Sequence, residues 1–523
     1  MTSTLASKHP DGDKGWWRLL NSYQWYVFVL AAFGWLFDCF DQQIFTMSRS
    51  ITMRDLLPNA DVLTQTTYGG YATSIFILGW ATGGLIFGMM GDRWGRAKTM
   101  ALTIMLYAAF TGLSGLAKDW TAFAIFRFLT GAGVGGEFAV GAALVAEIMP
   151  DKARPHALGM LQASSAFGNI LAALSLGVVV PASQLGWGWR GLYYIGALPG
   201  LVAVVVFWRL KEPEKWVAAR AAQLKSGTGR MGHISDLFNH PRWRRNTLVG
   251  LCLAIAGVLG LWGVGFYSPE LIDNALPTLE QPSKPKFAAL AVSVDQAGWT
   301  TAYGVLDAKE QQKLKELLNR ALPPASRIKD PAALATIPGK VTLEKFGKIV
   351  GKTIPEDQKT KLKAQGGILQ QVGAFLGMSF FTLVAARFGR RFTFAITLLM
   401  AWGSLVYVFW NFETPGQIYY LWPFLGFCTL APFGGYAIYL PELFPTRLRT
   451  TGTSFCYNVG RYVAALGPFI LGPLARSLDG FSGVSGFRLA AICLATSYIV
   501  GLVALIWAPE TLGQPLPEDE PAS

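Results

Sequence analysis

Five ionisable side chains, Asp38, Asp41, Arg127, Glu137 and Arg461, lie inside stretches that are otherwise apolar. At the centre of a bilayer each would cost about 2.5–3.5 kcal/mol on insertion scales, and the five together on the order of 12–17 kcal/mol. Facing lipid, they would oppose insertion. Facing one another, a substrate or enclosed water, they can carry protons and bind charge. Asp41 and Arg127 fall roughly 9 and 10 Å below the outer ends of their helices at 1.5 Å per residue, so the two can meet. Asp41 is expected to be the protonation site and Arg127 its partner; the guanidinium and the desolvation that accompanies closure act on the carboxyl in opposite senses. The alternative is a fixed structural ion pair. Asp38 lies one turn away on the same face, and neighbouring carboxylates titrate together. Glu137, deeper and toward the inner side, is expected to receive the proton; the alternative is a carboxylate that packs helices. Arg461, near the midplane, has no acid in its own stretch and can offer its fork to a substrate carboxylate, with Asn458 three residues earlier. Its alternative is a pair with Asp38 or Asp41. Trp262 and Tyr436 are expected among the aromatic side chains lining such a site.

The elements that must position these groups are membrane helices. The 523 residues are 52% hydrophobic and 15% charged, against about 25% charged in soluble proteins. That balance excludes a disordered or nucleic-acid-handling chain. A window of about 20 apolar residues finds roughly twelve spans, near 25–47, 67–91, 98–117, 120–149, 155–180, 190–210, 246–271, 365–387, 392–411, 417–443, 449–475 and 486–508. Lys and Arg gather in alternate connections, which places both termini in the cytoplasm by the positive-inside rule, in a multi-pass inner-membrane protein. The net charge of +13 then follows topology and requires no nucleic-acid partner.

The expected division is a cytoplasmic tail (1–24), a six-helix bundle (25–210), a cytoplasmic linker (211–245), span seven (246–271), an extracytoplasmic insert (272–364), spans eight to twelve (365–508) and a second cytoplasmic tail (509–523). Within the insert, 308–322 spaces Leu314, Leu317, Leu318 and Leu322 as one face of an amphipathic helix. The partner of the insert is unspecified.

The chain repeats itself. Glu147, Pro150 and Arg154 recur as Glu442, Pro445 and Arg449; Gly95–Arg96 recurs as Gly389–Arg390; Pro213–Glu214 recurs as Pro509–Glu510. All three shifts are about 295 residues, the signature of two related halves. Two such halves place a site at their interface near the midplane and rock around it. The expected fold is therefore an all-α membrane protein of 12 transmembrane helices in two pseudo-symmetric six-helix bundles.

GDRWGRAK from Gly91, the weaker copy ARFGRR from Ala386 with alanine replacing aspartate, RFLTGAGVGGEF from Arg127, PELFPTRLRTTG from Pro441 and the closing PETLG together resemble the major facilitator superfamily. DCFD (Asp38 to Asp41), Gly135–Gly136–Glu137 and CYNVGR (Cys456 to Arg461) are similar to its branch of proton symporters for sialic acid, lactate and related organic acids. The resemblance implies gating by Asp92, Arg93, Arg96, Glu147, Arg154, Glu442 and Arg449 at the cytoplasmic ends, where charges link the halves in one state and release them in the other. The sugar-porter branch shares several motifs, and Gln162 and Asn169 keep its amides in span five. Where that branch carries amides in span seven, this chain has Ala256, Gly257 and Trp262.

The expected function is import of a small organic anion, a monocarboxylate or sialate-like acid, by proton symport. A sugar or polyol carrier is the alternative within transport. A nutrient sensor on a transporter scaffold is a third reading, disfavoured by the gating charges. There is no phosphate loop for ATP coupling. The five cysteines have no metal-ligand spacing. No enzymatic activity, cofactor or metal is expected, and the energy source is a proton gradient.

Overall fold

The computed structural model describes residues 15–518 except 61, 180–187, 199, 201–208, 227–230, 294, 323–325, 329–333, 337, 480 and 482–483. Parts of the expected N-terminal tail, sixth span, linker and insert, and the end of the C-terminal tail, therefore lie outside the described residues. Among those described, regular structure is helical apart from one isolated bridge, Thr278 to Ile354.

Numbered as the expected spans, the first four are the helices Ser22–Leu56, Val62–Trp94, Arg96–Gly115 and Trp120–Ile148. Span five is two consecutive helices, Arg154–Ala163 and Ser165–Val179, and the described part of span six is Arg190–Gly196. In the second half, spans seven to ten are Pro241–Gly263, Glu356–Phe388, Arg390–Asn411 and Ile418–Glu442. Spans eleven and twelve are each broken once, into Arg449–Ala464 with Gly467–Ser477 and Gly486–Ala495 with Ser497–Ala504. Among the described residues, eight helical segments are long and apolar enough to cross a membrane. The first part of span eleven is not so apolar, and the reason is visible in its buried face: Thr450, Thr451, Thr453, Ser454, Asn458 and Arg461 all point into protein rather than lipid.

Glycine decides how closely the helices approach. A Cβ on Gly79 or Gly83 of span two would lie 2.1 or 1.9 Å from the carbonyl oxygens of Phe128 and Ala132 on span four. One repeat later, Gly373 and Gly377 of span eight would meet the carbonyls of Pro423 and Phe427 on span ten at 1.9 and 2.1 Å. Small residues let backbones touch in this way, and dispersion then holds helices that lipid cannot drive together. The halves meet where span two packs on span eleven and, by the same pseudo-twofold, where span eight packs on span five.

The repeat needs one correction. Glu212, not Glu214, is the counterpart of Glu510. Glu212 accepts from the first amides of span three, Arg96 N at 2.6 Å and Ala97 N at 3.2 Å, as Glu510 does from Arg390 N at 2.9 Å and Arg391 N at 3.1 Å in span nine. Glu214 instead opens the helix Glu214–Ser226 and is exposed. Each capped helix follows a glycine with positive φ, 118° at Gly95 and 93° at Gly389, which a side chain would strain.

The insert has its own hydrophobic cluster, including Phe287, Leu290, Trp299 and Phe346, on which Leu314, Leu317 and Leu318 close fully buried. Leu322 is the residue after the last turn of Ala308–Ala321 and leaves that face. Span eight begins at Glu356, nine residues before its apolar stretch, so helix runs unbroken from the insert into the bundle. Ion pairs fasten the insert to the second half: Lys352 to Glu413 at 2.8 Å, Lys363 to Asp273 at 2.6 Å and Arg327 to Asp479 at 2.5 Å.

Candidate functional site: buried charges and a clamp between the halves

All five intramembrane charges are buried, none more than 3% exposed. Asp41 and Arg127 meet within the first half, Nη1 to Oδ2 at 3.4 Å. The Thr111 hydroxyl donates to the other carboxylate oxygen at 2.6 Å. Arg127 is held more closely by hydroxyls, Ser114 at 2.9 and 3.1 Å and Thr130 at 3.1 Å, with the Tyr193 ring 5.0 Å from its guanidinium carbon. The guanidinium therefore keeps its hydrogen bonds whether or not Asp41 carries charge.

One turn along span one is a second acidic site. The Glu137 carboxylate lies over Gly34, where a Cβ would stand 2.5 Å from its Oε1, and Gly34 precedes Asp38 by four residues on the same face. The Asp38 and Glu137 carboxylates are both buried here, each 1% exposed. None of the four oxygens has a hydrogen-bond partner among the described residues. Two ionised carboxylates have no donor between them; one shared proton would supply it. Glycine at position 34 is what admits Glu137 to span one.

Arg461 belongs to the boundary between the halves. Its Nη1 donates to Asn458 Oδ1 at 2.6 Å, and its guanidinium carbon is 4.0 Å from the Trp80 ring centroid and 4.2 Å from that of Tyr457. Nε has no partner, and no carboxylate pairs with the group among the described residues. Trp80 and Tyr457 were not anticipated from sequence, because aromatics in a span are usually packing; their faces satisfy the cation by π attraction, which leaves its fork unclaimed by an anion. Trp262 closes edge-on against Trp80, centroids 5.6 Å apart.

The remaining candidates divide. Asn458 gives its amide protons to the Ser454 carbonyl and hydroxyl, at 3.0 and 2.9 Å, so every one of its polar contacts serves to orient Arg461. Asn169 donates to Gln371 at 3.0 Å, joining span five to span eight across the halves. Gln162 is buried, and its Oε1 has no hydrogen-bond partner among the described residues. Tyr436 is fully buried and its hydroxyl donates to the Leu253 carbonyl at 2.7 Å, its ring seated where Gly257 has no side chain; its geometry is that of a strut between spans seven and ten.

At the end of the bundle expected to be cytoplasmic, Arg96 donates to both Glu147 oxygens at 3.2 and 3.0 Å and reaches the Thr446 carbonyl of the other half at 2.6 Å. Arg449 donates across to Glu147 at 2.7 Å. Asp92 accepts from Thr451 N at 2.8 Å, Thr451 Oγ1 at 2.6 Å and Thr450 N at 3.3 Å, so it caps the helix of span eleven from the opposite half. A carboxylate there satisfies amides that would otherwise be orphaned and complements the helix dipole. Next to this clamp the Ser454 hydroxyl donates to the Gly84 carbonyl across the same seam. Arg93 bonds the carbonyls of Met231 and Gly232 in the linker, and Gly232 N donates to the Arg447 carbonyl. Arg154 and Glu442 stay within their own halves, Arg154 on Asp151 and the Ala146 carbonyl, Glu442 on Arg390 at 2.9 Å. Where Asp92 grips the second half, its counterpart position holds Ala386, and the grip has no twin.

The sequence model described as Major Facilitator Superfamily matches residues 20–302. The chain is 27% identical over 499 residues to the cis,cis-muconate transport protein of Acinetobacter baylyi, covering 94% of this chain and 96% of that one. It is 26% identical over 421 residues to the sialic acid transporter NanX of Escherichia coli, covering 78% and 98%. It is also 22% identical over 497 residues to the niacin transporter NiaP of Acinetobacter baylyi, covering 95% and 96%. In fold it is similar to the proton:xylose symporter XylE bound to 6-bromo-6-deoxy-D-glucose, with a TM-score of 0.58 at 15% identity over 95% of this chain and 98% of that one.

Proposed function

The chain belongs to the major facilitator superfamily, and on that footing we propose that it imports a small organic anion with protons by alternating access, through twelve spans with both termini at the cytoplasmic face of the inner membrane. The observation that carries this is Arg461, a buried guanidinium at the boundary of the halves with aromatic neighbours and no acidic partner among the described residues. A substrate carboxylate supplies the missing charge, and a charge-assisted pair is worth most where water is excluded. The flat faces of Trp80, Tyr457 and Trp262 suit an unsaturated or aromatic acid; relatives named for muconate, niacin and sialic acid support an organic acid in general.

Asp41 loads a proton from outside, and the Asp38–Glu137 pair hands it inward. The Ser114 and Thr130 hydroxyls hold Arg127 in place when Asp41 is neutral. The empty and the fully loaded protein carry fewer uncompensated buried charges than either half-loaded form, so those two states interconvert more readily. The clamp of Asp92, Arg96, Glu147 and Arg449 is closed in this structure, which corresponds to a cytoplasmic side shut against exit.

In proteoliposomes, substrate addition should alkalinise the outer medium, and muconate or niacin should compete with the transported species. Uptake indifferent to a pH gradient sinks the coupling, and competition by hexoses alone sinks the anion. The unpartnered Gln162 oxygen favours a polyol as the second reading.

A further inference from the structure

We propose that the lipid-facing seam between spans seven and twelve is a binding site for an anionic phospholipid of the cytoplasmic leaflet. The seam encloses a groove of about 620 Å³. Leu248 and Cys252, one turn apart on span seven, form one wall, and Ile499 and Val503, one turn apart on span twelve, form the other. Leu248 is 49% and Val503 47% exposed.

At the end nearest the linker the lining changes from hydrocarbon to charge. Arg244, Arg245 and Trp507 form the mouth. Arg245 Nε donates to the Trp507 carbonyl at 2.8 Å, which ties the start of span seven to the end of span twelve and sets both arginines beside the groove. The Arg244 guanidinium is exposed and meets no partner among the described residues. Trp507, 54% exposed, has the amphipathic ring that settles at headgroup level.

This order matches one phospholipid from end to end: an acyl chain along the apolar walls, an indole at the glycerol level and two guanidiniums at the phosphate. A zwitterionic headgroup brings its own ammonium to that phosphate; an anionic one leaves it to the arginines. Topology alone accounts for positive charge in this connection but not for its place at the mouth of an apolar groove. The inference rests on the orientation proposed above and is independent of substrate and coupling.

The test is lipid retention by the full-length protein in detergent, read by native mass spectrometry with dioleoyl phosphatidylglycerol and dioleoyl phosphatidylcholine as probes. Phosphatidylglycerol should be retained about tenfold better. Arg244→Gln with Arg245→Gln should reduce it to the phosphatidylcholine level, while Val503→Trp, which fills the groove, should diminish both lipids. Equal retention of the two lipids by the unaltered protein, or undiminished preference in the double variant, overturns the proposal. So does displacement by an equal concentration of glycerophosphoglycerol, because the acyl walls would then contribute nothing. Should the double variant misfold, Arg244→Gln alone carries the test, since that side chain makes no hydrogen bond or ion pair among the described residues. Binding is read without transport, so a failure of proton coupling leaves this result standing.

Discussion

Glu147 of the first half accepts from Arg449 of the second at 2.7 Å while also accepting from Arg96 at 3.0 Å, with all three side chains fully buried. One carboxylate thus bridges two guanidiniums from opposite halves, and Asp92 pairs with the Arg96 guanidinium at 3.0 Å beside it.

Glu147→Gln should therefore open the cytoplasmic side. Removing one partner of a buried charge group typically costs about 3–5 kcal/mol, enough to invert a two-state balance. Spin labels at Lys98 and Arg391, both exposed near the clamp, should separate in the variant, and uptake against a gradient should fall. Unchanged distances would mean that the clamp does not hold this state.

Asp41→Asn should abolish proton-driven accumulation yet spare exchange of labelled for unlabelled substrate. Arg127 retains Ser114 and Thr130 in that variant, so the fold should survive. Loss of exchange and accumulation together would make Asp41 part of substrate binding or of the framework.

Arg461→Gln should weaken anion binding about 10- to 100-fold, the equivalent of losing one charged hydrogen bond of about 1.5–3 kcal/mol. Arg461→Lys should recover part of that loss without restoring the planar fork. Trp80→Ala removes the nearer ring and should raise KM for unsaturated acids more than for saturated ones. Binding that is equal in all three variants rules out this guanidinium as the anion site.

Glu510 lies beyond span twelve, where burial pushes its carboxyl up but the backbone amides of Arg390, Arg391, Leu512 and Thr511 outweigh it and leave it below the usual range. A carboxyl depressed by folding contributes stability above its unfolded value and loses it as pH falls through the folded one. Glu510→Gln should lower the thermal midpoint at neutral pH, and the gap between the two proteins should shrink on acidification through the carboxylate range. A gap that is constant with pH would show that the amides respond to shape and not to charge.

Much of the arrangement was legible in the sequence because it depends on spacing. The recurrence of Glu147 as Glu442 and of Gly95–Arg96 as Gly389–Arg390, and the depth match of Asp41 with Arg127, follow from a single repeat length and helical rise. What escaped depended on rotation and local chain direction. That Trp80 and Tyr457 face Arg461, or that Asn458 turns its amide onto Ser454, requires knowing which way each helix is turned. Glu212 was hidden by the better-matching Glu214, since identity between repeats does not reveal which carboxylate reaches an uncapped helix end. The Thr450–Thr451 amides were invisible for a related reason: backbone groups have no letter in the sequence.

Aspartate at 92 has alanine at 386 as its counterpart in the repeat. The two bundles mirror one another in shape, but only one of them carries a bolt. A symmetrical rocker would release both seams at equal cost. Here the seam of spans two and eleven should yield last when the interior is exposed to the cytoplasm, with the seam of spans five and eight acting as the hinge, so a single substitution at the bolted side can tip the cycle while its mirror image at the other passes unnoticed.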